Sequence, residues 1–118
     1  MIRSGLLILL LFVVGCAPRL VWTSASIDEQ ARRQATQYFI QAKVFEAQGN
    51  YLGAIVALRS AADLDPGSPT VYAQLARSYH EIGDARMAST YAERSLDLDP
   101  DQGSLRFQLV RWYDGLGD

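Results

Sequence analysis

Two side chains stand out for chemistry at neutral pH: Cys16, the only cysteine, and His80, the only histidine. A thiol can be a nucleophile, a disulfide partner, a metal ligand or an acyl acceptor, and its surroundings decide which. A single thiol excludes an intramolecular disulfide framework and any multi-thiolate metal site. His80 has Glu81 beside it and Asp84 four residues on. These are a base and carboxylates along a predicted helix and its end, with no serine or cysteine nucleophile placed near them by a recognisable motif. No second ligand of the right kind accompanies His80, and no glycine-rich phosphate loop is present, because the glycines past the leader are scattered singly, most of them at predicted repeat turns. No catalytic residue, metal or cofactor is therefore assigned, and His80 is read as a surface or groove residue. A small hydrolase or solute binder using His80 stays open as an alternative.

The surroundings of Cys16 point to a covalent anchor. Met1, Ile2 and Arg3 precede an apolar run from Leu6 to Val14, then Gly15 and Cys16. A charged start, a short apolar stretch and a small residue before a cut site make a secretory signal. Nine apolar residues fall well short of the roughly 20 that a helix needs to span a bilayer. Val13-Val14-Gly15-Cys16 resembles the lipobox of bacterial lipoproteins. The resemblance implies cleavage before Cys16, a diacylglyceryl group on its sulfur and acylation of the new amino group. Two or three chains hold a protein stably where one is marginal. Residues 1–15 are then a signal peptide, and residues 16–25, which carry Pro18 and no helical period, a lipidated tether. The resemblance implies a bacterial cell envelope location. Ala17 in place of aspartate leans, in a host with two membranes, towards the periplasmic face of the outer membrane.

Composition bounds the remainder. The 118 residues are 49% hydrophobic and 20% charged, with 11 Lys plus Arg against 13 Asp plus Glu. This is one folded domain at most, without the charge blocks or low-complexity tracts of disorder. The small negative balance supplies no field for a polyanion, so nucleic acid is not an expected partner.

The elements that must position any site recur along the chain. Ala62-Asp63-Leu64-Asp65-Pro66 returns as Leu96-Asp97-Leu98-Asp99-Pro100, an offset of 34. The same offset pairs Tyr38 with Tyr72, Ala42 with Ala76, Phe45 with Tyr79, Gly49 with Gly83, Ala54 with Ala88 and Ala61 with Ser95. Applied once more it pairs Leu75 with Leu109, Tyr79 with Tyr113 and Gly83 with Gly117. A period of this size marks stacked supersecondary units. The pattern resembles the tetratricopeptide repeat, with units at 35–68 and 69–102 and a partial unit at 103–118. It implies an all-α, right-handed α-solenoid of about two and a half helix-turn-helix repeats over residues 26–118. The third unit departs most, with Arg106 where an aromatic is usual and Val110 where a small residue is usual.

Local signals predict the same helices without the family. Ser26 with Glu29 reads as a capping box opening a long first helix, and Glu29 with Arg33 as a favourable i,i+4 pair. That helix should stop near Gln48, with Gly49 as the left-handed residue beyond it and Asn50 capping the next. The second helix, with Ile55, Leu58 and Ala62 on one face, stops before Pro66. Ser68-Pro69 reads as a cap and a first-turn proline opening a third helix to about Ile82. Gly83-Asp84 repeats the stop and start, a fourth helix runs to Leu98, and a fifth covers about Ser104 to Leu116. Ala42, Ala54, Ala61, Ala76, Ala88 and Ser95 should let paired helices approach closely, with Tyr51, Tyr72, Tyr79 and Tyr91 filling the gaps.

The resemblance also implies a concave face, lined by the first helix of each unit, that holds a peptide or a partner helix. Its positions fall on Thr36, Phe39, Ile40, Lys43 and Glu46, then Thr70, Ala73, Gln74, Arg77 and His80, then Phe107, Gln108 and Arg111. With Phe39, Ile40 and Phe107 as anchors beside Lys43, Arg77 and Arg111, this groove suits an apolar or amphipathic protein segment of some acidic character. The lysine and asparagine of the family's carboxylate clamp are here Phe39 and Lys43, so that ligand class does not carry over. Trp112, Tyr113 and Leu116 on the last helix form a second candidate surface. The function expected is that of a membrane-anchored envelope scaffold for protein partners, similar in plan to small repeat lipoproteins that assist pilus, secretin or outer-membrane assembly. A fragment of a longer repeat array is the other alternative.

Overall fold

The computed structural model describes residues 24–117. They form five helices: α1 Ser24–Ala47, α2 Tyr51–Leu64, α3 Pro69–Glu81, α4 Ala85–Leu98 and α5 Gly103–Gly115. No strand occurs among the described residues. The predicted signal sequence, the predicted lipobox through Cys16 and most of the predicted tether lie outside the described residues. The last two tether residues, Ser24 and Ala25, are helical. The first helix is thus already running at Ser24, which puts Ser26 inside it rather than at its cap.

The connections between α1 and α2 and between α3 and α4 use one device twice. Past α1, Gly49 takes φ +71°. Its N–H donates to the Glu46 carbonyl at 2.9 Å, and the Asn50 N–H reaches back to the Phe45 carbonyl at 2.8 Å. Past α3, Gly83 takes φ +82°, and the bonds recur from Gly83 to His80 and from Asp84 to Tyr79, both at 2.9 Å. Only glycine adopts that conformation without a Cβ clash, and the paired bonds satisfy carbonyls the helix end would leave open. The residue closing the first helix also opens the second. Asn50 Oδ1 accepts from the Gly53 N–H at 2.9 Å and Asp84 Oδ1 from the Met87 N–H at 3.0 Å. Such a cap contributes about 1 kcal/mol. Ser68 behaves differently from expectation. It precedes Pro69 at the first turn of α3, but its side chain makes no capping bond.

Within each hairpin the small residues do what their spacing predicts. Ala42, Ala54, Ala61, Ala76, Ala88 and Ser95 are all fully buried. Without bulk at these crossings the helix axes come close, and larger residues pack around them. One cluster joins Ala35, Ala42, Ile55, Leu58, Ala61, Tyr72 and Leu75 across α1, α2 and α3. A second joins Ala76, Ala88, Ala92, Leu105, Leu109 and Trp112 across α3, α4 and α5. Each helix therefore packs on its neighbours in sequence. Tyr91 stacks on Tyr79 at 5.4 Å and on Tyr72 at 6.2 Å, and the Arg94 guanidinium lies 4.7 Å above the Tyr72 ring. Ser95, the one polar member of the small set, donates to the Pro69 carbonyl at 2.7 Å and accepts from Gln102 Nε2 at 2.9 Å. Its buried hydroxyl is satisfied, and it ties the end of α4 to the starts of α3 and α5.

Candidate functional site

Stacked hairpins bring the first helices α1, α3 and α5 side by side, and two junctions between them carry the predicted groove residues. At the α1–α3 junction Glu46 Oε1 accepts from Gln74 Nε2 at 2.7 Å and from Ser78 Oγ at 2.8 Å. Its other oxygen takes Lys43 Nζ at 2.8 Å. Burial pushes the Glu46 carboxyl up. The hydrogen bonds from Lys43, Gln74 and Ser78, with the Lys43 charge, outweigh it and hold the group below its usual value. Glu46 and Gln74 are therefore committed to each other, and Gln74 is buried. This junction is closed by polar bonds.

At the α3–α5 junction the matched positions carry other side chains. One repeat further on, His80 stands where Glu46 stood, Gln108 where Gln74 stood and Trp112 where Ser78 stood. The His80 ring stacks on Trp112 at a centroid distance of 4.9 Å. Gln108 Oε1 is buried without a hydrogen-bond partner. Beside this stack lies a cleft of about 390 Å³ lined by Arg77, His80, Glu81, Gln108, Arg111 and Trp112. Arg77 and Arg111 are exposed. Ion pairs among the described residues are Arg33 with Glu29 and Lys43 with Glu46, so neither cleft guanidinium is neutralised. Arg77 makes one long bond, 3.4 Å, to Gln74.

The other groove positions are scattered. Phe39 packs against the first core cluster and, with Thr36 and Thr70, lines a smaller hollow of about 160 Å³ beside Ser68 and Val71. Ile40 and Phe107 are exposed and line neither hollow. Ala73 is buried. Lys43 is exposed and held by Glu46. The structure thus brings together Arg77, His80, Gln108 and Arg111, and sets Phe39, Ile40 and Phe107 apart from them. Of the aromatic surface expected on the last helix, Tyr113 and Leu116 are exposed. Trp112, at 7% exposure, belongs to the core. Its alignment with Ser78, a position facing the preceding first helix, carried that information in the repeat.

Glu81 is the cleft residue that sequence reasoning placed beside His80 without assigning it to the groove. Among the described residues no group of three or more His, Cys, Asp or Glu side chains is placed to hold a metal. None of the described helices is long and apolar enough to cross a membrane.

A family model described as tetratricopeptide repeat matches residues 46–113, a span that takes in both junctions. No curated protein matches the chain.

Proposed function

Because the chain belongs to the tetratricopeptide repeat family, we propose that it is a lipid-anchored scaffold of the bacterial envelope that seats an acidic segment of a partner protein in the cleft between α3 and α5. Repeats of this family are protein-interaction modules, typically without catalytic activity. The observation that carries the finer reading is the pair Arg77 and Arg111. They sit one repeat apart on the same face, border one cleft and have no carboxylate partner among the described residues. A guanidinium presents a planar fork of donors suited to a carboxylate, and such charge-assisted bonds are about twice as strong as neutral ones. The stacked His80–Trp112 pair gives the cleft an aromatic wall, and Gln108 lines it beside them. The anchor rests on Val13-Val14-Gly15-Cys16, whose pattern supports lipidation of Cys16, and Ala17 in place of aspartate supports a place on the periplasmic face of the outer membrane in a two-membrane host. Assembly of a pilus, secretion or outer-membrane complex is the role that this plan suits.

A photocrosslinking residue placed at Glu81, on the cleft rim, tests the reading in living cells. The expected product is one discrete adduct with a protein whose crosslinked segment is acidic, lost when Arg77→Glu and Arg111→Glu are introduced together. An adduct indifferent to those changes overturns the cleft as the site. The double variant should keep its thermal midpoint, because exposed substitutions of this kind change stability by only about 0.5 kcal/mol. The anchor is tested separately by fractionation, where Cys16→Ser should leave the membrane fraction.

A further inference from the structure

A notch of about 290 Å³ between the second helices α2 and α4 is separate from the α3–α5 cleft. Its walls carry Arg59 and Asp63 from α2 and Arg94 from α4, and Tyr72 and Tyr91 line it between them. Tyr72 is buried and Tyr91 half-buried, whereas the three charged residues are exposed. Each arginine has a carboxylate within helical reach, Asp63 four residues after Arg59 and Asp97 three after Arg94. Glu29 with Arg33 and Lys43 with Glu46 pair at those same spacings, but neither Arg59 nor Arg94 is ion-paired among the described residues. Arg94 instead lies 4.7 Å above the Tyr72 ring, in a stack that runs on through Tyr91 to Tyr79. Burial pushes the Tyr79 hydroxyl up, and the charge of Arg59 acts against that shift, which sets Arg59 towards the other end of the stack. Two guanidiniums without a carboxylate partner thus flank one aromatic stack. The repeat does not dictate this arrangement, since Arg59 matches Glu93 in α4 and Arg94 matches Ser60 in α2.

We propose that this notch is a binding site for a phosphate monoester that carries a hydroxyl next to its phosphate. Guanidiniums on opposite walls suit an anion with acceptors on more than one side. A phosphate monoester has three strong acceptor oxygens and a charge of about −1.5 to −2, which matches two guanidiniums. A carboxylate brings one charge, and a single bidentate fork occupies both its oxygens. Asp63 selects the rest of the ligand. An anion on the rim repels a bound phosphate, and a hydroxyl donating to Asp63 offsets that repulsion. The volume lies at the low end of small-molecule sites, which span roughly 300–1,000 Å³. The Arg94–Tyr72 contact holds one guanidinium in place before the ligand arrives, which lowers the ordering cost of binding. The same phosphate and hydroxyl occur in small soluble esters and in single-chain lipid headgroups.

Titration of the full chain in nonionic detergent with glycerol phosphate, followed by NMR of the arginine side-chain N–H groups, tests the proposal. The signals of Arg59 and Arg94 should move saturably, and those of Arg77 and Arg111 in the cleft should not follow. Arg59→Gln and Arg94→Gln should each weaken binding by about tenfold or more, because each removes charge-assisted bonds. Arg94→Lys should weaken it too, since an ammonium keeps the charge over Tyr72 but loses the fork. Methyl phosphate has no hydroxyl and should bind the wild type less well than glycerol phosphate. Asp63→Ala should tighten methyl phosphate and shrink that preference. Lysophosphatidate in the same micelles presents the same phosphate and hydroxyl from a lipid. A response to it at concentrations where glycerol phosphate is silent assigns a headgroup as the source, and the reverse assigns a soluble ester. Circular dichroism on every variant separates lost binding from lost fold, and the substituted positions are exposed. Arg59 and Arg94 signals that respond to neither ligand, binding that survives both glutamine variants, or a preference for glycerol phosphate that ignores Asp63→Ala overturns the proposal. The cleft is read apart from this, since Arg77→Glu with Arg111→Glu should leave these titrations unchanged.

Discussion

The two junctions between first helices use one set of repeat positions, 34 residues apart in sequence, and they have opposite characters. The α1–α3 junction places a carboxylate at Glu46 and surrounds it with three donors, so its polar groups are spent inside the molecule. The α3–α5 junction places an imidazole at His80 and an indole at Trp112, which stack, and leaves an acceptor on Gln108 and two guanidiniums beside an open cleft. Position for position, the repeat supplies a cation on the concave face in each unit, as Lys43, Arg77 and Arg111. Only Lys43 is neutralised by a carboxylate among the described residues. A repeat scaffold therefore separates holding itself together from presenting a surface by changing two or three side chains at matched positions of successive units.

Breaking the closed junction should have the largest effect on stability. Glu46→Ala leaves the buried Gln74 amide and the Ser78 hydroxyl without their acceptor, and a buried donor stripped of its partner costs about 1–3 kcal/mol. For a domain of this size that is a fall of roughly 4–8 °C in thermal midpoint per kcal/mol, read by calorimetry. The open junction should give less. His80→Ala removes one aromatic stack, worth about 0.5–1.5 kcal/mol, and the smaller loss should come with altered partner crosslinking at the cleft.

The smallest effect sharpens the contrast through pH. Glu46 is held below its ordinary value of 4.5 in the folded state. The unfolded chain therefore takes up the proton first as pH falls. The stabilisation is fully present above that ordinary value and is lost as pH drops through the lower folded value. Denaturant midpoints measured from pH 6 down to pH 3 should show this decline in the wild type, and Glu46→Gln should remove that share of it. His80→Ala should leave the acid limb of the curve in place.

Much of the scaffold was legible along the chain because its signals are local. A glycine two residues past a helix, a capping Asn50 or Asp84 and an alanine at a fixed place in each unit act within a few residues of themselves. Their recurrence from one repeat to the next let each unit check the others. Ser26 and Ser68 both read as caps along the chain, and the structure departs from each in its own way. The helix already runs at Ser24, and at Ser68 the capping bond is not made. Groove residues were legible as positions but not as a site. Glu46 and Gln74 look like surface polar residues in sequence, and Trp112 like a surface aromatic, since nothing local says that each meets a side chain from a different helix hairpin.

By itself, then, the sequence determined an all-helical repeat, its hairpin turns, its small-residue crossings and the alignment of one unit on the next. Periodicity and backbone preference are properties of a single run of residues. Only the tertiary structure decided that one junction closes on Glu46 while the next opens beside His80, and that Trp112 is core while Val110 is surface. Those outcomes depend on which side chains are brought within about 3–5 Å across separate helices, where hydrogen bonding and packing act.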